Sequence, residues 1–332
     1  MKLKTKKAPV RRRTAKDDFQ KVVRLIKDHK SFLVTTHVNP DGDGLGAESA
    51  LFAALTKMGK KVQVVNHDPL PHRFKYLAFT PHYQASDVIP PHEVCFVLDA
   101  GDFTRIREGV RREEFKTLVN IDHHYSNNKY GDYNLVFPDA AATGEVVYRL
   151  LRALKVKMDK PIAEGIFTSI VTDTGRFRYP NTTPHIFRLA AELEEAGADT
   201  SHVSEHIFGD ITRQAMELTR LAMGTLKVHQ DGLIGSMTLN QADFRSSGAS
   251  DDDTENLINV VRNLDTVKIA IFLKERPDGL VKISLRSKNH VNVANVAKRF
   301  GGGGHAYAAG AVTEGPIQKA LPAVIAACQD AL

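Results

Sequence analysis

Residues 31–59 read SFLVTTHVNPDGDGLGAESALFAALTKMG. The first six residues form a short, apolar and β-branched run, which predicts a buried strand. From Gly46 onward, apolar side chains recur at helical spacing up to Gly59, a typical residue at a helix C-terminus. A strand followed by a helix is the repeating part of right-handed βαβ folds. The stretch therefore predicts an α/β domain with a parallel sheet flanked by helices.

The same alternation continues along the chain. Further strands are predicted for KVQVV (61–65), VCFVLDA (94–100) and TLVNID (117–122). After Asp139 the pattern turns helical, and β-type runs return near residue 228. A chain of 332 residues is long enough for about two domains. The predicted organisation is a disordered basic tail at 1–16, a first α/β domain at 17–200, a helical linker at 201–227 and a smaller α/β domain at 228–332.

The composition excludes several classes of protein. Hydrophobic residues make up 42% and charged residues 25% of the chain, as in globular proteins. No apolar run is long enough to span a bilayer, and the N-terminus lacks the apolar core of a secretory signal. Cys95 and Cys328 lie in apolar surroundings, which predicts buried thiols in a reducing compartment. We therefore expect a cytoplasmic protein without a membrane segment.

The positive charge is concentrated at the N-terminus. Eight of the 45 Lys and Arg residues lie within the first sixteen residues, which contain no Asp or Glu. Such an arm either binds nucleic acid through its phosphates or is a solvated extension. The sequence leaves both interpretations open.

Acidic and imidazole side chains collect where the predicted strands end. They are His37, Asp41 and Asp43 after the first strand, Asp99 at the third, Asp122, His123 and His124 at the fourth, and Asp173 after a helical pattern. In open α/β sheets, ligands bind at the carboxyl ends of the strands. Carboxylates and imidazoles without a thiolate favour Mn²⁺, Mg²⁺ or a similar ion over structural zinc. These clusters together predict a site for two divalent ions that hydrolyses a phosphate ester.

The motifs resemble those of the DHH phosphoesterase superfamily, named for the Asp-His-His at 122–124. The loop HxxPDxD from His37 to Asp43 matches as well, and GGGGH at 301–305 matches the signature of the DHHA1 accessory domain. The resemblance extends over the chain from about Asp18. The order and spacing of the motifs look most like the branch of oligoribonucleases and 3′-phosphoadenosine 5′-phosphate (pAp) phosphatases.

The resemblance implies an activity and a set of partners. The substrates would be short RNA oligonucleotides or linear dinucleotides, cut to mononucleotides, and pAp, cut to AMP and phosphate. The cofactor would be two divalent ions, foremost Mn²⁺, with Mg²⁺ or Co²⁺ as alternatives, and the assembly would be a homodimer.

The resemblance also implies a role for each matched residue. The first ion would be bound by His37, Asp41 and Asp99, and the second by Asp43, Asp99, His123 and Asp173. Asp122 would orient an imidazole and His124 would face the scissile phosphate. In the second domain, substrate contacts are implied for Arg286, Ser287, Gly303, Gly304 and His305.

Other functions compete with this interpretation. A manganese inorganic pyrophosphatase shares the metal loop, but its accessory domain is of a different type. A processive single-strand exonuclease usually needs an additional nucleic-acid-binding domain, and a soluble cyclic-dinucleotide phosphodiesterase is a further alternative. Among proteins that are not enzymes, a nucleic-acid-binding protein with a degenerate DHH fold would not need the complete set of ligands found here.

Overall fold

The chain consists of two compact units. The computed structural model describes residues 15–79, 92–106, 110–209, 211–254, 257–288 and 291–332. Contacts within the chain separate Met1–Gly209 from Asp210–Leu332. Of the predicted basic tail, residues 1–14 lie outside the described residues, and Ala15 and Lys16 begin the first helix.

A five-stranded parallel sheet forms the centre of the first unit. Its strands are β1 (Ser31–Thr35), β2 (Lys61–Val64), β3 (Val94–Leu98), β4 (Thr117–Asp122) and β5 (Tyr133–Val136), in the order β2-β1-β3-β4-β5. The helices are α1 (Ala15–Asp28), α2 (Gly42–Lys57), α3 (Thr143–Ala153), α4 (Lys160–Asp173), α5 (Pro184–Glu195) and α6 (Thr200–Phe208). Every residue of the central strand β3 is buried, as expected for a parallel strand covered on both faces. The predicted fold class is confirmed.

Helices α2 and α4 meet through residues that have almost no side chain. A Cβ atom at Gly165 would lie 2.7 Å from the carbonyl oxygen of Gly46 and 2.8 Å from the backbone nitrogen of Ala50. Only glycine permits this separation, because a methyl group would overlap the backbone of the facing helix. The contact matters for function because α2 begins at the loop after β1 and α4 ends at Asp173.

Gly165→Ala is expected to lower the free energy of unfolding by about 1–3 kcal/mol, the usual cost of overpacking a tight core. Thermal unfolding followed by circular dichroism would measure the loss. The matched control is Gly224→Ala, since a Cβ atom at Gly224 meets nothing within 4 Å and the residue ends a helix. An unfolding temperature for Gly165→Ala equal to that of the control would contradict the backbone contact.

The second unit contains a six-stranded mixed sheet. Its strands are β6 (Lys227–His229), β7 (Ile234–Leu239), β8 (Ile269–Glu275), β9 (Val281–Ser287), β10 (Gly303–His305) and β11 (Ala308–Thr313), in the order β10-β11-β9-β8-β7-β6. Its helices are α7 (Arg213–Gly224), α8 (Gln241–Ser247), α9 (Leu257–Arg262), α10 (Val293–Lys298) and α11 (Ile317–Gln329). Only β7 and β8 pair in parallel. Two apolar clusters, one containing α11 and one containing α9, form its core.

Two regions differ in detail from the sequence pattern. The helical run predicted after residue 203 is two helices, and each belongs to a different core: Val203 of α6 packs in the first unit, whereas Leu218 of α7 packs in the second. The glycine-rich segment 301–310 forms the β10–β11 hairpin rather than an open loop. Glycines hide such a strand from sequence patterns because they contribute no alternating side chains.

Candidate metal centre

The loop after β1 places two acids at the start of α2. Asp41 is the N-cap residue, and its side chain accepts hydrogen bonds from the backbone N–H groups of Asp43 (3.0 Å) and Gly44 (3.3 Å). An Asp at this position satisfies amides that the first helical turn leaves unpaired. The cap fixes the turn, and Asp43 in the first turn of α2 is buried.

The Asp43 carboxylate is held by the N-terminus of α3. It accepts the backbone N–H groups of Thr143 (2.9 Å) and Gly144 (3.3 Å), and the Ser169 hydroxyl of α4 also hydrogen-bonds to it. A helix N-terminus carries partial positive charge and stabilises an anion. Asp43 therefore has a fixed orientation set by two helices besides its own.

His37, Asp41 and Asp99 form a first group whose ligand atoms lie within 4.8 Å of one another. His37 Nδ1 donates to the carbonyl oxygen of Val38 (2.8 Å), which leaves Nε2 as the electron-pair donor. That Nε2 lies 3.6 Å from Asp99 Oδ2. Asp99 adopts a left-handed backbone conformation (φ 56°) at the end of β3, and the Thr143 hydroxyl donates to its Oδ1 (2.9 Å).

Asp43, His123 and Asp173 form a second group under the same distance limit. His123 Nε2 lies 3.2 Å from Asp43, 3.6 Å from Asp173 and 3.9 Å from Asp99. Its Nδ1 donates to the carbonyl oxygen of Ala140 (3.2 Å), so Nε2 again provides the electron pair. Asp99 thus lies between the two groups, with one carboxylate oxygen toward each.

Asp122 and His124 form a pair beside these groups. Asp122 Oδ1 accepts the Nδ1–H of His124 (2.7 Å) and the backbone N–H of His123 (2.8 Å). The Asn127 side-chain amide donates to the other carboxylate oxygen of Asp122. His124 Nδ1 also lies 3.5 Å from Asp99. Asp122 consequently orients the His124 ring.

The electrostatics of the cluster fit a divalent cation. Burial raises the pKa of Asp43 to about 6, and the Asp99 carboxylate adds to the rise. Burial also raises the pKa of Asp173 to about 7, with Asp43 and Asp41 adding to it and His123 opposing it. Buried acids that repel one another take up protons unless a cation replaces them. Carboxylate oxygens and imidazole nitrogens without a thiolate are donors that suit Mn²⁺ or Mg²⁺.

Besides Asn127, the side chains of Thr143, Ser169 and Arg105 contact the cluster and were missed by sequence reasoning. The Thr143 hydroxyl donates to Asp99, and the Ser169 hydroxyl donates to Asp43. Arg105 Nη2 lies 3.4 Å from His37 Nδ1. One signal was present for Thr143, since it begins a predicted helix and helix N-termini bind anions. Ser169 lies within a helical pattern, where nothing in the sequence marks it.

In the second unit, Arg286 and His305 share one face of the sheet. Ala308 of β11 pairs with Arg286 of β9 on one side and with His305 of β10 on the other. Paired residues on neighbouring strands project to the same face, so two strand spacings, about 10 Å, separate the two backbones. The residue between them, Ala308, carries only a methyl side chain. The Arg286 guanidinium also donates to the Leu285 carbonyl oxygen (3.1 Å).

The remaining predicted contacts lie beside this pair. Ser287 is buried, and its hydroxyl donates to the backbone oxygen of Val291 (2.6 Å), so it ties β9 to the following segment. Gly303 and Gly304 are exposed in β10. Gly304 has φ 137°, whereas a Cβ atom at Gly303 would meet nothing within 4 Å. Glycine is therefore required by the backbone at 304 but not at 303.

Comparisons with known proteins agree with both units. Residues 31–170 match the family described as DHH family, N-terminal domain, and residues 235–332 match the DHHA1 domain. A Thermus thermophilus protein named bifunctional oligoribonuclease and PAP phosphatase NrnA is 32% identical over 90% of this chain and 89% of its own length. A Bacillus subtilis protein of the same name is 25% identical over 87% of this chain and 91% of its own length.

A solved structure shares the fold. The crystal structure of an exopolyphosphatase-related protein from Bacteroides fragilis superposes with a TM-score of 0.84 at 22% identity, covering 95% of this chain and 96% of that one. Among the residues that the structure describes, no helix has the length and apolar character needed to cross a bilayer. The matched domains and relatives confirm the resemblance read from the motifs, and the chain belongs to the DHH family of phosphoesterases, with a DHHA1 domain as its second unit.

Proposed function

We propose that this chain is a two-metal phosphoesterase that hydrolyses short oligoribonucleotides to mononucleotides and pAp to AMP and phosphate. The observation that carries the proposal is the position of Asp99, which has one carboxylate oxygen toward His37 and the other toward His123. A carboxylate so placed suits two neighbouring cations. The substrate class is supported by the names of the Thermus thermophilus and Bacillus subtilis relatives.

In this proposal each group of residues holds one ion. His37, Asp41 and Asp99 hold the first, and Asp43, Asp99, His123 and Asp173 hold the second, with Mn²⁺ as the preferred ion. When bound, two such ions supply charge neutralisation at phosphorus and acidify the attacking water. The α3 N-terminus and the Ser169 hydroxyl keep Asp43 in the orientation that this role requires.

In this proposal His124 donates a proton near the phosphate. Although burial favours the neutral form of His124, Asp122 raises the pKa of its ring to about 9 in the metal-free protein. Asp122 accepts the Nδ1 proton, and in this proposal the Nε2 proton of the ring is donated to a phosphate oxygen or to the leaving oxygen. Removing a positioned acid of this kind typically costs about 10²–10⁴-fold in rate.

Arg286 and His305 bind the nucleotide or phosphate remote from the scissile bond. Arg offers a planar fork of donors that matches phosphate, and Arg286 and His305 flank Ala308 on one face of the sheet, where both could contact the same ligand. Gly303 and Gly304 are exposed residues of the neighbouring strand β10, where a ligand can approach the backbone closely, while the Ser287 hydroxyl ties β9 to the following segment. Binding energy gathered there orients short substrates, because they offer few other contacts.

A side-by-side assay tests the proposal. With Mn²⁺ present, the purified protein is expected to hydrolyse a 5′-phosphorylated diribonucleotide and pAp, and to leave pyrophosphate intact. Product release would be followed by chromatography and phosphate detection, with EDTA as the control for ion dependence. Turnover of pyrophosphate alone would replace the proposal with a pyrophosphatase activity, and equal rates in EDTA would remove the metal requirement.

A further inference from the structure

Residues 174–190, which directly follow Asp173, form a segment of net positive charge. They contain Arg176, Arg178 and Arg188 and no Asp or Glu, although the whole chain has 39 acids. They also contain Phe177, Tyr179 and Phe187. Arginine interleaved with aromatic residues is typical of surfaces that bind single-stranded nucleic acid. We refer to residues 174–190 as the arginine–aromatic segment.

The segment begins with a turn that few sequences adopt. Gly175, Arg176 and Phe177 have φ values of 56°, 62° and 59°, so three consecutive residues are left-handed. Each non-glycine residue in this conformation costs about 1–2 kcal/mol. The N–H groups of all three residues are bonded: Gly175 donates to Thr172 O (3.0 Å), Arg176 to Val171 O (2.9 Å) and Phe177 to the Thr174 hydroxyl (3.1 Å). Backbone strain of this kind concentrates at ligand sites.

The turn brings an aromatic row from the core to the surface. Phe177 contacts Phe167 of α4 at 6.2 Å between ring centroids and stacks on Phe187 of α5 at 5.5 Å, with 26° between the planes. Phe187 is 56% exposed, and the neighbouring Arg188 is exposed too. An exposed aromatic ring that stacks on a second ring, in a segment that also carries an exposed arginine, suits a nucleobase and a phosphate of the same strand.

The segment is attached to the candidate metal centre within the first unit. The Asn181 side chain donates to the backbone oxygens of Asp173 (3.2 Å) and Ala141 (3.0 Å). At the start of α5, His185 Nε2 lies 3.3 Å from Glu145 in the first turn of α3. The N-terminus of α3 also holds Asp43. Asn181 and His185 therefore join the segment to Asp173 and to the first turn of α3.

We propose that the arginine–aromatic segment binds the nucleotides of a single-stranded oligoribonucleotide that extend beyond the scissile phosphate, with Phe187 stacking on a base and Arg188 contacting a phosphate. The proposal rests on the proposed function, because it assumes an oligoribonucleotide as substrate. This binding proposal extends the proposed function by adding a surface that pAp is too short to reach. The segment would then favour oligonucleotides of several residues over the smallest substrates.

Binding can be measured without hydrolysis. The dissociation constant of fluorescein-labelled pentaadenylate RNA is determined by fluorescence anisotropy in EDTA. Phe187→Ala is expected to raise it at least about fivefold, the lower end of the cost of removing a stacking ring. Phe187→Tyr keeps an aromatic face and should bind like the wild type, whereas Phe187→Leu should bind like the Ala variant. Arg188→Ala should reduce the slope of log Kd against log salt by about 0.7, as for one lost phosphate contact on a single strand.

Kinetics with Mn²⁺ provide a second measurement. Phe187→Ala should raise KM for unlabelled pentaadenylate, leave its kcat unchanged and leave pAp hydrolysis unaffected. Wild-type affinity in Phe187→Ala, wild-type affinity in Phe187→Leu, or an equal loss on pAp would each overturn the assignment. Failure of the proposed function is recognised separately, since the wild type would then bind pentaadenylate without cleaving it.

Discussion

Asp43→Asn is expected to lower kcat for pAp by several orders of magnitude while the protein stays folded. The Asp43 carboxylate lies 3.2 Å from His123 Nε2 and accepts the N–H of Thr143. Asn fills the same space but carries no charge, so the second ion loses an anionic ligand and the reaction loses part of its charge neutralisation. Steady-state kinetics at saturating Mn²⁺ would measure the loss, and calorimetry would show weaker Mn²⁺ binding.

The matched control is Asp28→Asn, which removes the same charge at the exposed end of α1. It is expected to turn over like the wild type. Near-normal turnover in folded Asp43→Asn would show that Asp43 is not an ion ligand, and equal losses in both variants would point to a general effect of charge.

Asp43 also predicts how stability depends on pH in EDTA. Its pKa rises to about 6 in the folded state, above the value of about 3.9 expected in the unfolded chain. The folded state therefore holds the proton more tightly, and this contribution to stability is lost as pH rises from about 4 through 6. In the Asp43→Asn variant the side chain at this position is an amide, which does not titrate between pH 4 and 6. The wild type should accordingly lose more stability than the variant between pH 5 and 8, as measured by urea unfolding, and Mn²⁺ should restore it.

Arg286→Ala is expected to lower kcat/KM for a 5′-phosphorylated diribonucleotide and for pAp by roughly 100-fold. A lost pair of charge-assisted hydrogen bonds costs up to about 3 kcal/mol, which corresponds to that factor. Bis-p-nitrophenyl phosphate lacks the remote group and should be cut at the wild-type rate. Arg286→Lys should recover only part of the loss, because an ammonium group cannot form the planar fork.

Two further variants show where the ligand lies in the second unit. Ala308→Leu fills the space between Arg286 and His305 without removing either side chain, and should raise KM for the same short substrates. Lys282→Ala is the control, since Lys282 lies on the same face of β9 four residues away. Equal losses on bis-p-nitrophenyl phosphate, or no loss on either substrate, would remove Arg286 from the recognition site.

The sequence predicted the sheet and the meeting of its polar residues for one physical reason. Parallel strands all end at the same edge, so an Asp or His placed after each strand must approach the others. For this reason the sequence alone predicts that His37, Asp99 and His123 lie close together. The prediction required only the positions of the strand ends, which short apolar runs indicate clearly in the sequence.

Other parts could not be predicted because they depend on contacts between distant segments. Ser169 reads as an ordinary helical residue until α4 is packed against α2 and its hydroxyl meets Asp43. β5 was missed because only Leu135 and Val136 of its four residues are buried, too few for a pattern. The left-handed turn at Arg176 is likewise invisible, since neither Arg nor Phe signals a positive φ.

The glycine contact between α2 and α4 has a consequence for ion selection. Because Gly46 and Gly165 bring backbone against backbone, the helices cannot separate or approach by exchanging rotamers. The gap between the acids at their ends is therefore nearly fixed. Ca²⁺ binds oxygen at about 2.3–2.6 Å in adaptable shells of six to eight ligands, whereas Mg²⁺ requires about 2.0–2.1 Å in a near-octahedral shell. For the metal centre proposed above, a separation held in this way would favour ions of small radius such as Mg²⁺ or Mn²⁺ over Ca²⁺.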